Sequence, residues 1–129
     1  GPRLPGGRAT VADRRLYLIH ILASIERIED YTQGGWEVFI GSPMAQDAVV
    51  RNFEVIGEAV KRIPESMKEE RPDIPWRRIA GLRDVLIHQY MRVDLEAVWA
   101  IVRDDLHEFK QAVAEILAEM QDNLSISPE

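Results

Sequence analysis

The chain contains no cysteine, which excludes disulfides, thiol catalysis and cysteine-ligated zinc, and suits a reducing cytosol. No uninterrupted apolar run reaches the roughly 18 residues of a membrane span, and Gly1 to Thr10 lacks the apolar core of a signal peptide. These absences lead us to expect a cytoplasmic protein with no membrane partner. Only three histidines are present, and His20, His88 and His107 are too far apart to show the close paired spacing of a histidine metal site. Strand-like alternation of apolar and polar residues is missing throughout, so there is no strand for a glycine-rich phosphate loop to follow. Glu26, Glu29 and Asp30, or Asp104, Asp105 and Glu108, have metal-binding chemistry, but such runs more often form solvated helix faces. We expect no metal and no cofactor.

What is present fits one compact domain: 129 residues, 46% hydrophobic and 29% charged. The net charge of -6 is unevenly distributed. Residues 1–50 carry 5 Lys/Arg and 6 Asp/Glu, residues 51–92 carry 9 and 7, and residues 93–129 carry 2 and 9. The middle segment alone is net basic, which permits a local phosphate-binding surface without a basic footprint over the whole protein.

Residues 1–10, rich in Gly and Pro, read as a flexible arm or tag remnant, 11–121 as a single helical domain, and 122–129 as a flexible tail. From Val11 to Tyr31, Leu18, Ile21, Leu22, Ile25 and Ile28 recur at helical spacing. Leu16, Tyr17 and Ile19 lie off that stripe and suggest a second partner for the helix start. We expect His20, between Ile19 and Ile21, to be packed or at an interface. After Gly34-Gly35 comes a short apolar piece, Trp36 to Ile40. Ser42-Pro43 then supplies a cap and a first-turn proline for a helix to about Ile63. Gly57 inside that helix costs about 1 kcal/mol relative to alanine, which points to a close helix contact. A charged connector with a helical turn around Ser66 to Glu70 follows. Asp73 is placed to cap a helix running from Pro75-Trp76 to about Tyr90, and Asp94 to cap a last helix from Leu95 to Met120. Trp36, Trp76 and Trp99 read as packing residues. The whole is an all-α, four-to-five-helix up-and-down bundle.

Arg83, His88 and Tyr90 lie near the end of the third long helix. On a helical wheel Ile79, Leu82, Val85 and Leu86 form its core face, while Arg83, Asp84, Ile87, His88, Tyr90 and Met91 share the other. Asp84 stands four residues before His88, within side-chain reach on a helix. Ile87 and Met91 among polar groups suggest a covered surface, most simply a symmetric dimer. By the wheel alone, Arg83 and Asp84 read first as ordinary surface charges, and His88 as a cap or interface residue.

The pattern Arg83-x4-His88-x-Tyr90 resembles the R-x4-H-x-Y signature of the HepT-like toxins in the HEPN superfamily. Arg51 to Ala59 (RNFEVIGEA), Pro75-Trp76, Ile79, Gly81 and Val93-Asp94 through Trp99 resemble that family too, and the likeness spans about Val11 to Leu117. The position after the arginine is often asparagine in the family and is Asp84 here. The resemblance implies a HEPN-like bundle that dimerises and brings two motifs together across a cleft. It implies a metal-independent endoribonuclease, encoded with an MntA-like nucleotidyltransferase antitoxin. Arg83 and His88 would be catalytic, and Tyr90 would be the residue to which the antitoxin transfers AMP from ATP.

The residue chemistry agrees. RNA carries its own nucleophile, the 2′-hydroxyl, so cleavage needs proton transfer near neutrality and stabilisation of a charged phosphate. Histidine, with a reference pKa of about 6.5, suits the first task, and the fork of arginine suits the second. By spacing, Asp84 would orient His88 or raise its basicity; Arg77, Arg78 and Arg92 would either extend the phosphate track or serve surface solubility. A non-catalytic HEPN module that docks a nucleotidyltransferase or binds a nucleotide is the competing reading.

Overall fold

The computed structural model describes residues 10–88 and 92–126. Thr10 starts the first helix, α1 (Val11–Thr32), with a reciprocal capping box. Its hydroxyl accepts from the Asp13 N–H at 3.0 Å, and the Asp13 carboxylate accepts from the Thr10 N–H at 3.1 Å. The predicted stripe of Leu18, Ile21, Ile25 and Ile28 is fully buried and packs chiefly on α3 and α8. Leu16 and Ile19 stay exposed, as a second apolar side requires, and His20 is exposed rather than packed within this chain.

Gly35 turns the chain at φ 87°, a left-handed conformation that glycine adopts without a Cβ clash. Helix α2 (Trp36–Ile40) follows and inserts Phe39 into the core, where it meets Trp99 at 5.4 Å between ring centroids; Trp36 closes the cluster at 5.7 Å from Trp99. Helix α3 (Pro43–Arg62) begins as predicted, with the Ser42 hydroxyl accepting from the Ala45 N–H at 3.2 Å and proline in the first position. Its buried face of Val49, Phe53, Ile56 and Val60 makes it the central helix of the bundle, in contact with α1, α2, α5 and α6. Each such fully buried side chain contributes about 1.5–3 kcal/mol of transfer free energy.

Gly57 is the expected close contact. A Cβ there would lie 3.2 Å from the Ile79 carbonyl oxygen and 3.3 Å from that of Ala80, so α3 and α5 touch backbone to backbone. After α4 (Glu65–Glu70), Asp73 does not cap the next helix. Its carboxylate accepts two hydrogen bonds from Arg71, at 3.1 and 3.0 Å, and Arg71 also donates to Glu115 at 3.1 Å. The N-cap is Pro75, and the connector is fastened instead by the Trp76 indole donating to the Arg71 carbonyl at 3.0 Å.

The predicted helix to Tyr90 is interrupted. Helix α5 (Trp76–Ala80) closes at Gly81, whose N–H returns to the Arg77 carbonyl, and α6 (Leu82–Leu86) restarts with the Asp84 N–H donating to the Gly81 carbonyl at 3.0 Å. At Ile87 and His88 the backbone is extended. Strand β1 (Ile87–His88) pairs antiparallel with β2 (Arg92–Val93), Ile87 opposite Val93 and His88 opposite Arg92. The Asp94 N–H completes the closure by donating to the Leu86 carbonyl at 2.9 Å. Ile79, Leu82 and Leu86 are buried as the wheel predicts, but Val85 is 46% exposed because the helix around it is a single isolated turn. Strands of two residues are too short to show alternation in sequence.

Asp94 caps α7 (Leu95–Asp104) as predicted, accepting from the Ala97 N–H at 3.0 Å. The single last helix is in fact two, broken at Asp105, with α8 (Leu106–Ile126) running past the predicted end at Met120. Val98, Leu106, Val113 and Ile116 face the core on both sides of the break, so the apolar stripe does not register it. The molecule is an all-α bundle with one small β ladder among the described residues, and no described helix is long and apolar enough to cross a membrane.

Candidate active site

Two depressions flank the α5–α6 segment, and α3 is the wall between them. One, of about 150 Å³, is floored by Phe53, Ile56, Ile79, Leu82 and Phe109 and rimmed by Asp73, Arg78, Asp105 and Glu108. The other, of about 230 Å³, is lined by Arg51, Glu54, Val55, Gly57, Glu58, Lys61, Ala80 and Arg83. Buried and solvent-facing residues of α3 thus serve opposite sides, as helical periodicity requires.

Arg83 belongs to the charged depression. Its side chain is 57% exposed, and its Nε lies 3.7 Å from a carboxylate oxygen of Glu54 on α3. That distance is an ion pair at arm's length, beyond a direct hydrogen bond. Glu58 is tied to Lys61 at 3.2 Å on the same helix face. Such pairs in solvent contribute about 0–1 kcal/mol, so the contact with Glu54 by itself does not keep the guanidinium from another anion. The contact of Gly57 with α5 sets how closely α6 approaches α3, and so brings Arg83 within reach of Glu54.

The other predicted site residues are distributed unevenly. Asp84 is exposed on α6, but the backbone is no longer helical at His88, so the helical spacing that joined them does not apply. The backbone of His88 is held by the ladder directly opposite Arg92. The side chains of His88 and Arg92, and Tyr90 altogether, lie outside the described residues. Arg77 and Arg78 are both exposed, yet Arg78 opens on the apolar depression and not on that of Arg83. Sequence reasoning assigned no role to Arg51, Glu54 or Lys61, although Arg51 to Ala59 carried part of the resemblance. Beyond that resemblance, which covers Arg51 and Glu54 but not Lys61, their signal was position on the net basic middle segment.

One carboxylate of each acidic run is held by a cation. Glu29 accepts from Lys110 at 2.7 Å, a bond that raises the lysine pKa, and Asp104 is chelated by Arg103 at 2.7 Å, which holds its carboxyl below the usual range. Among the described residues no group of three His, Asp or Glu side chains is gathered to hold a metal ion.

Fold and site therefore define an all-α bundle that presents an arginine beside a charged depression, on the short helix that leads into strand β1. The chain belongs to the HepT-like family: residues 21–116 match the family described as Ribonuclease HepT-like. A "Probable ribonuclease HepT" from Thermococcus cleftensis is 43% identical over 95 residues, covering 73% of this chain and 86% of that one. A "Putative RNase" from Caldanaerobacter subterraneus subsp. tengcongensis is 39% identical over 104 residues, covering 80% of this chain and 93% of the relative. A Methanocaldococcus jannaschii protein named "Gamma-glutamylcyclotransferase and putative RNase" is 43% identical over 112 residues. That match covers 86% of this chain and 50% of the relative, so the chain spans half the length of that protein. No solved structure matches the chain.

Proposed function

We propose that this protein is an endoribonuclease that cuts RNA without a metal ion, using Arg83 and His88. Membership of the HepT-like family and relatives named as ribonucleases support the reaction class. The observation that carries the site is the placement of Arg83, exposed on the charged depression and separated by α3 from the apolar one. The Arg83 guanidinium binds the scissile phosphate in exchange for Glu54 and stabilises the charge that builds on it. His88 removes the proton from the 2′-hydroxyl, whose oxygen attacks phosphorus. The bond to the 5′-oxygen breaks, and that oxygen takes up a proton, leaving a 2′,3′-cyclic phosphate and a 5′-hydroxyl.

The active form is a homodimer, with Val85, exposed beside Arg83, as part of the covered surface. In the cell the enzyme acts as the toxin of a toxin–antitoxin pair. Its MntA-like nucleotidyltransferase partner transfers AMP from ATP to the Tyr90 hydroxyl, releasing pyrophosphate. A bulky anion two residues from His88 then neutralises and obstructs the site.

The test is product mapping on single-stranded RNA with EDTA present. The wild-type chain should cut and leave cyclic phosphate ends, and His88→Ala should lower the rate by on the order of 10²–10⁴-fold. No cleavage by wild type would establish the non-catalytic binding module instead. Incubation with the antitoxin and ATP should silence wild type but not Tyr90→Phe; equal silencing of both would remove Tyr90 from the regulation.

A further inference from the structure

RNA carries a phosphate at every nucleotide, so a cutting site must also hold the strand beside the bond that breaks. The arginines nearest in sequence to Arg83 do not supply this together, because Arg78 opens on the apolar depression across α3. Helix α3 offers another route. Arg51, Glu54, Glu58 and Lys61 are spaced at i, i+3, i+7 and i+10, which places them within about 80° of one helix face over about 15 Å. All four line the same depression as Arg83.

Their charges are not equivalent. Lys61 is held by Glu58 at 3.2 Å, and Glu54 lies 3.7 Å from Arg83. Arg51 is exposed and makes no ion pair among the described residues. Both carboxylates of the depression thus have a cation beside them, while the guanidinium one helical turn from Glu54 faces the same space uncompensated. Gly57 and Ala80 keep the floor between α3 and α6 low, so an extended strand can lie across it.

We propose that Arg51 binds the phosphate next to the scissile one, so that the RNA strand crosses the α3 face of the molecule and not the α5 face. Resting on the endoribonuclease reading, this adds a strand-holding residue from a helix outside the Arg83–His88 segment. An arginine in this role positions substrate and takes no part in proton transfer, so its loss acts on KM and leaves kcat in place.

The experiment measures binding of a fluorescent single-stranded RNA by the full chain carrying His88→Ala, which prevents cutting, across a range of salt concentrations. Adding Arg51→Ala should weaken binding on the order of five- to tenfold at low salt and reduce the slope of log affinity against log salt by about 0.7, the loss of one phosphate contact on a single strand. Arg51→Lys should retain most of the slope, because it keeps the charge. In the cutting enzyme, Arg51→Ala should raise KM by a similar factor with kcat within about twofold. Unchanged affinity and slope in Arg51→Ala, or a loss confined to kcat, overturns the proposal. If wild type cuts RNA and His88→Ala does not, that failure falls on Arg51 alone; if wild type neither cuts nor binds, both readings fall together.

Discussion

The two depressions on either side of α3 are built from neighbouring residues of one helix, yet they differ in almost every physical respect. Phe53 and Ile56 floor the first and are almost wholly buried, whereas Glu54 and Glu58 line the second among cations. The first is continuous with the buried core, and the second gathers charged side chains. The same division separates Arg78 from Arg83. Sequence proximity is therefore a poor guide to which basic residues act together, and the intervening helix is a better one.

The comparison can be tested from its largest consequence to its smallest. Phe53→Ala should cost about 3–5 kcal/mol of stability, as truncating a buried aromatic does, seen as a lowered urea midpoint with the slope unchanged. Next comes the pair Arg83→Ala and Arg78→Ala. The first should slow RNA cleavage by about 10²–10³-fold, and the second by less than about twofold if the two surfaces are separate in function; equal losses in a cleavage assay would merge them. Gly57→Ala gains about 1 kcal/mol of helix propensity but forces a methyl against two carbonyl oxygens, so the net should be a loss of about 1–2 kcal/mol by overpacking, with Gly57→Val worse in the same melt.

The smallest effect is pH-dependent. Hydrogen bonding from Arg71 holds the Asp73 carboxyl below the usual range in the folded state. The pair's contribution is therefore present above the carboxyl's ordinary pKa and is lost as pH falls through the depressed folded value. Wild type should be slightly more stable than Asp73→Asn at neutral pH, and the two melting temperatures should converge under acid conditions. A gap that widens on acidification would contradict this.

The core was legible in the sequence because burial imposes a period: Leu18, Ile21, Ile25 and Ile28, or Val49, Phe53, Ile56 and Val60, repeat every three to four residues and all lie inside. Breaks that preserve the stripe were not. Gly81 and Asp105 each interrupt a helix while the buried residues on both sides still face the core, so periodicity continues through them. The extended backbone of Ile87 and His88 depends on pairing with Val93 and Arg92 and on the hydrogen bond from the Asp94 N–H to the Leu86 carbonyl, a pairing across residues that no local preference records. At the site, Arg83 stood out by its motif, but Arg51, Glu54 and Lys61 looked like any solvated helix face. Only their shared depression with Arg83 distinguishes them.

The contact at Gly57 joins main chain to main chain, and main chain has no rotamers with which to absorb a displacement. Helix α5 cannot slide along α3 by repacking a side chain; it must either keep its register or lift away. Amides of α3 around Gly57 and those of α5 should consequently exchange with solvent as one cooperative unit. The separation between Arg83 and the α3 charges would then be a fixed property of the backbone, open or closed as a whole, with no graded series of positions between.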